Sequence, residues 1–232
     1  MLGALTESES RVVDAVPLQF REVGRDQDLV REGQHSPQCI LLVDGFACRY
    51  RSLADGRRQI LSFHIAGDFI DLQGYLLERL DHGIATLTPS KIALVAHTSI
   101  TELLEHPNIA RLLWRDTLID GAMHREWIVN VGRRTAYQRV AHVLCELMTR
   151  LQAAGLSREG VCDLPITQGE LADATGLSTV HVNRVIQELR RDGLITLRGR
   201  AFSALDWTGL QRAAEVDPNY LRLVTKRPTP AN

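Results

Sequence analysis

The 232-residue chain has no apolar run of the ~18 residues that a membrane helix requires, which excludes a membrane-spanning protein of that type. Its first residues, MLGALTESESRVVDAV, lack the basic start and apolar block of a secretory signal, so the expected compartment is the cytoplasm. It also lacks clustered cysteine. Cys39, Cys48, Cys145 and Cys162 are too scattered for a disulfide framework and fit a reducing environment. No Ser/His/Asp arrangement, phosphate loop or metal-ligand spacing stands out, so catalysis is not expected. The chain has almost no net charge, formally -1, but the charge is unevenly placed. Up to Gly132 there are 13 basic and 18 acidic residues, and beyond it 14 basic and 10 acidic. A basic second half on an acidic first half points to a polyanion partner for the second half.

From Pro17 to about His97 the pattern is one of short apolar segments and turns. Cys39–Val43 is closed by Asp44-Gly45, which predicts a hairpin into a strand from Phe46 to Ser52. Asp55-Gly56 and Ala66-Gly67-Asp68 bracket another strand, Gln59–Ile65, and two more segments flank Thr88-Pro89. Strands at this spacing indicate a sandwich or barrel-like domain. The period then changes. From Pro107 to Val131, Ile109, Leu112, Ile119 and Met123 recur at helical spacing with Asp116 interrupting, and Leu113, Leu118, Ala122, Trp127 and Ile128 widen the apolar surface. A long helix apolar on more than one side must bury a second face, and a partner helix in a dimer would do so, with Ile109, Leu112, Asp116, Ile119 and Met123 as the expected dimer contacts. Residues 132–135 read as a hinge. Thr135–Gln138 is a capping box opening a further helix with a Val140, Val143, Leu144, Leu147 and Leu151 stripe, stopped by Gly155.

Val161–Ile195 carries the strongest motif. Thr167-Gln168-Gly169-Glu170 is a capping box, Thr175-Gly176-Leu177 a glycine turn, and Ser178 a cap for a second helix whose inner residues are Val182, Val185, Ile186 and Leu189. This is a helix-turn-helix. His181, Asn183, Arg184 and Gln187 are the second helix's polar residues, and Arg and Asn are the side chains that pair with guanine and adenine in the major groove. Leu194–Leu205 reads as a wing hairpin about Gly199 with Arg198 and Arg200 at its tip. Thr167, Gln168, Ser178, Arg198 and Arg200 are the expected phosphate contacts, and Thr179, Val180, His181, Asn183 and Arg184 the expected base-facing residues.

With Gly67-Asp68-Phe69-Ile70, the long helix, Ile166–Ala172, Val180-His181-Val182-Asn183-Arg184 and Gly193-Leu194-Ile195 together, the chain resembles the Crp/Fnr family of bacterial transcription regulators over nearly its whole length. The resemblance implies an α+β protein: an N-terminal β-roll sensor (1–106), a dimerisation helix (107–132) and a C-terminal winged helix-turn-helix (133–232). It further implies a homodimer on a palindromic DNA operator, with RNA polymerase as a partner. The family's recognition arginine falls on Arg184, while Val180 stands where many members have a base-reading Glu. In the cyclic AMP branch a Gly-Glu pair and a later Arg with a hydroxyl residue hold the nucleotide. Those positions read Asp71-Leu72 and Leu80-Asp81-His82-Gly83, so cyclic AMP is not expected, even with Arg79 nearby. No cysteine precedes Cys39, so the N-terminal iron–sulfur signature is also missing. Haem stays open, because none of His35, His64, His82, His97, His106, His124 and His142 is singled out. A thiol switch at Cys145 or Cys162 is a further option. The tail beyond Ala214, including Lys226–Pro230, reads as frayed, with Tyr220, Leu221 and Leu223 anchoring its start.

Overall fold

The computed structural model describes residues 5–158 and 160–223. Lys226–Pro230 lie outside the described residues. Seven strands form two facing sheets. β1 (Gln19–Val23), β7 (Ser90–Ala96) and β3 (Gln38–Asp44) make one, in the order β1-β7-β3. β2 (Asp28–Val30), β6 (Gly83–Thr86), β4 (Phe46–Ser52) and β5 (Arg58–Ile65) make the other, in the order β2-β6-β4-β5. Alternate residues of both sheets, including Val30, Ile40, Leu42, Ala47, Ile84, Ile92 and Leu94, meet in one buried cluster between them.

Asp55-Gly56 is the turn of a true hairpin, since β4 and β5 pair from Phe46↔Ile65 to Ser52↔Arg58. Asp44-Gly45 is not. β3 pairs with β7, whereas β4 pairs with β5 and β6. The turn therefore carries the chain from one sheet to the other. Gly45 adopts φ +94°, and a Cβ there would collide with Ser90 and with the backbone of Pro89. A Gly turn between apolar runs specifies a reversal but not which edge the next strand joins.

Helices α1 (Glu7–Asp14) and α3 (His97–Leu104) cover the outer side of the first sheet through Val12, Val13, Ile100 and Leu103, against Cys39 and Val95. The four-residue α2 (Gly74–Leu77) follows β5. The long helix α4 runs Pro107–Arg133, with Pro107 in its first turn. It breaks at Arg134, where the backbone is extended, and Thr135 caps α5 (Ala136–Ala153) with the expected capping box. β8 (Ser157–Arg158), β9 (Val161–Asp163), α6 (Gln168–Thr175), α7 (Thr179–Arg191), β10 (Ile195–Arg198), β11 (Ala201–Ala204) and α8 (Trp207–Ala214) complete the C-terminal part. β9 adds to the wing hairpin, giving a sheet in the order β10-β11-β9-β8.

The junction between the two parts is packed, not open. A single apolar cluster runs from Phe46, Cys48, Phe63 and Ile65 of the roll through Trp127 to Val140, Leu144, Leu147 and Met148 of α5 and on into the helix-turn-helix. Trp127 lies edge-on to Phe63 at 5.8 Å between ring centroids, and its indole donates to Glu146. Arg150 donates to Asp68 at 2.5 Å and to the Phe63 carbonyl at 2.8 Å. Burial alone would raise the Asp68 carboxyl, but Arg150, His64 and the Ile65 amide together outweigh burial and hold it down at about 2. Tyr220 donates to Glu146 at 2.7 Å and Leu221 is buried, which ties the start of the tail back to α5. At the break itself, Arg134 donates to Glu126 and to the Glu215 carbonyl.

Candidate nucleic-acid interface

α6 and α7 form because their ends are locally specified. Thr167 accepts from the Glu170 amide at 3.1 Å while Glu170 accepts from the Thr167 amide at 2.6 Å, which completes the capping box. Gly176, at φ +66°, ends α6 in the left-handed conformation. Ser178 accepts from the His181 amide at 3.2 Å and opens α7. Val182, Val185, Ile186 and Leu189 are buried against α5 and α6. That fixes the rotation of α7 about its axis, so what is left outside is set by the sequence.

The outer face carries Thr179, Val180, Asn183, Arg184 and Gln187, all exposed, with Val180 at 82%. Their spacing places Val180, Arg184 and Gln187 in one row along the helix, with Asn183 beside it. His181 is only half-buried and lies to one side. Gln187 belongs with this face although it was not among the expected contacts; its position four residues after Asn183 and three after Arg184 is the signal. α7 is ~20 Å long at 1.5 Å per residue, and its exposed Thr179–Gln187 face spans ~12 Å of that, a size that suits the ~12 Å wide major groove.

The expected phosphate contacts are placed around this face in different states. Thr167 and Ser178 sit at the helix starts and are already used as caps. Gln168 accepts from Asn183 Nδ2 at 3.0 Å, so it is joined to the reading face itself. The wing turns at Gly199 as expected, and Arg198 is exposed at its tip. Arg200 makes a two-point pair with Asp163, at 2.9 and 2.5 Å, on an exposed surface. Arg190, at the end of α7, donates to the Leu197 carbonyl and so fixes the wing to the recognition helix.

The long helix presents a second distinctive face. Ile109 and Met123 are buried within the chain, and Leu112, Asp116 and Ile119 are half-buried. Of these expected dimer contacts, Ile109 packs inside the chain with Cys39, Val95 and Ile100, and Met123 is buried within it as well. The apolar side left outside carries Trp114, Leu118, Ile128, Val129 and Val131, with Leu118 66% and Ile128 69% exposed. Helical spacing marks both stripes, but only packing against the roll decides which is inward.

Asp71 is fully buried and accepts from the Ile40 amide at 2.5 Å; burial pushes its carboxyl up to about 7. Arg49, buried in β4, spends all three guanidinium nitrogens on its own chain: on the Ile70 carbonyl at 2.9 Å, on Asp120 of α4 at 2.6 Å and on Gln73 at 3.3 Å. Arg79 donates to the Gly33 carbonyl. His82 is buried, which pushes its pKa down, against the pull of Asp81. A Cβ at Gly83 would come 2.6 Å from Tyr50 Cζ, so no hydroxyl side chain fits there unless the ring moves. Arg49 and Arg79 are thus both engaged within the chain. The Arg49–Asp120 tie was missed in the sequence, although an Arg inside an apolar strand was the available sign.

The four thiols are all buried, and burial raises each of them: Cys39, Cys48 and Cys145 to about 12 and Cys162 to about 11. Among the described residues no group of three or more His, Cys, Asp or Glu is placed to hold a metal ion.

Comparison with known proteins agrees with this layout. Residues 20–106 match the family described as a cyclic nucleotide-binding domain, and residues 138–213 the Crp-like helix-turn-helix domain. The chain is 31% identical over 170 residues to the nitrogen fixation regulation protein FixK of Bradyrhizobium diazoefficiens, covering 71% of this chain and 69% of that one. It belongs to the Crp/Fnr family of transcription regulators. The transcriptional activator protein FnrL of Cereibacter sphaeroides is 28% identical over 186 residues, covering 78% of this chain and 74% of that one. The solved structure of FixK2 from Bradyrhizobium japonicum shares the fold, with a TM-score of 0.77 at 24% identity over 85% of this chain and 98% of that one. As a Crp/Fnr regulator the chain is α+β, with an N-terminal β-roll, a long helix and a C-terminal winged helix-turn-helix that binds DNA. No helix among the described residues is long and apolar enough to cross a membrane.

Proposed function

We propose that this Crp/Fnr regulator is a cytoplasmic homodimer without catalytic activity. It sets α7 of each subunit into the major groove of a palindromic operator and works with RNA polymerase at promoters. The observation that carries the reading is the outer face of α7, where exposed hydrogen-bonding side chains surround an exposed Val180 on a helix whose rotation is locked by its buried face. Arg184 reads a guanine, and Val180 packs on a thymine methyl where a Glu would have read a polar base edge. Arg198 positions on phosphate. The outer apolar side of α4, around Leu118 and Ile128, is the dimer seam. Two-fold symmetry then places the half-sites one helical turn apart, ~34 Å.

The reading includes DNA binding without a cyclic nucleotide, an iron–sulfur cluster or haem. Supporting it are the self-satisfied Arg49, the buried Asp71 and the Tyr50 ring against Gly83. The test is selection from a pool of genomic DNA fragments by the reduced protein with no ligand added. Enrichment of a palindrome is expected. Enrichment only after a small molecule is supplied would overturn the ligand-free reading, and no enrichment under any condition would overturn sequence-specific binding.

A further inference from the structure

Among the described residues, one side-chain hydrogen bond crosses between α6 and α7, and it joins Gln168 to Asn183. Gln168 is the first residue of α6 and half-buried; Asn183 is exposed on α7. Asn183 Nδ2 donates to Gln168 Oε1 at 3.0 Å. A primary amide holds two N–H donors and one carbonyl acceptor. With one N–H committed to Gln168, Asn183 keeps one N–H and Oδ1, and neither has a partner among the described residues. An adjacent donor and acceptor are what adenine requires, the donor for N7 and the acceptor for the N6 amino group.

The contact orders the Asn183 side chain before DNA arrives, which lowers the entropy lost on binding. If both amides turn over together, Gln168 Nε2 donates to Asn183 Oδ1 instead, and Asn183 still keeps an N–H and an Oδ1 lone pair for the base. We propose that Gln168 is a positioning residue for base readout: it holds Asn183 in the orientation that reads an adenine in the half-site. The proposal rests on α7 lying in the major groove. It gives Gln168 a role different from the phosphate contact expected from its place at the start of α6.

The experiment uses the full-length protein and the operator it selects. Affinity is measured on that operator and on every single base-pair change in one half-site, for the parent, Q168A, Q168E, N183A, N183D and Q168A/N183A. Thermal melts establish that each variant folds; the contact is at the surface and its loss should leave the melt nearly unchanged. N183A should lose about tenfold discrimination at one A·T pair. Q168A should lose discrimination at that same pair and nowhere else, and the double variant should discriminate no worse than N183A. N183D can accept but not donate, so its preference there should move to cytosine. Q168E keeps the acceptor and should keep the adenine preference, while binding all sequences more weakly through repulsion from phosphate. Q168A binding that falls equally on every sequence would make Gln168 a phosphate contact and overturn the proposal. So would Q168A discrimination identical to the parent's. If the parent selects no operator at all, groove reading itself fails, a result distinct from either of these.

Discussion

The outward faces of α4 and α7 differ in kind, although both belong to helices with a buried apolar stripe. α7 leaves Thr179, Asn183, Arg184 and Gln187 outside around one exposed valine, whereas α4 leaves Trp114, Leu118, Ile128, Val129 and Val131. A face of hydrogen-bonding groups stays well solvated until it meets matching polar edges. A face of large apolar groups is costly in water and is relieved by another apolar surface. The proposed function follows this contrast, with nucleic acid on α7 and a second copy of the chain on α4.

The strongest way to break this contrast is to make the α4 face resemble a solvated one. In a Leu118→Asp/Ile128→Asp variant, sedimentation should report a monomer, and operator affinity should fall by about 10²–10⁴-fold because the two half-sites no longer bind as one unit. A variant that still sediments as a dimer would place the seam elsewhere. On α7, Arg184→Ala should weaken operator binding by about 1–3 kcal/mol and relax selectivity at one base pair. Equal weakening on operator and random DNA would reduce Arg184 to a phosphate contact.

A smaller effect tests the packed junction that holds both faces in one frame. His142 of α5 is fully buried beside Arg134, Glu146 and Tyr220, and burial, helped by Arg134, depresses its pKa to about 3. Between pH 6.5 and about 3 the unfolded chain takes up a proton there that the folded protein refuses. Stability from this residue is therefore present above pH 6.5 and drains on acidification, by up to about 1.4 kcal/mol per pH unit. Asp71 and Asp116, raised by burial to about 7 and about 6, act in the opposite sense and are common to parent and variant. His142→Phe should thus lose less stability than the parent as pH falls from 6.5 to 4. Parallel pH profiles of the two proteins would mean that His142 is protonated when folded.

The smallest effect concerns the thiols. Cys162 is buried against Met148, with its thiol held near 11. Alkylation of the native protein should be slow, and Cys162→Ser should bind DNA as the parent does, with or without peroxide. Rapid native labelling of Cys162 would revive a redox switch.

The helix-turn-helix was legible because its signals are local. Thr167, Glu170, Gly176 and Ser178 mark its ends within a dozen residues, and the Val182–Leu189 stripe fixes its inner face. The same held for the Thr135 capping box and the wing turn at Gly199. What was not legible depends on contacts far apart in the chain. The turn at Asp44-Gly45 joins two sheets because β3 finds β7, some fifty residues away. The inward stripe of α4 is chosen by Cys39, Val95 and Ile100, and its Asp120 by Arg49. The hinge at 132–135 is present as a helix break, but the cluster running from Phe63 through Trp127 to Leu144 closes it, and no local pattern announces that. The short α1 and α3, capped or started without strong apolar runs, also escaped notice.

The most direct test of the central contrast is a hydroxyl-radical footprint of the protein on its selected operator. Two protected blocks one helical turn apart on the same side of the duplex, related by two-fold symmetry, are predicted from an α4 seam that pairs two α7 faces. A single protected block on a non-palindromic site would contradict it.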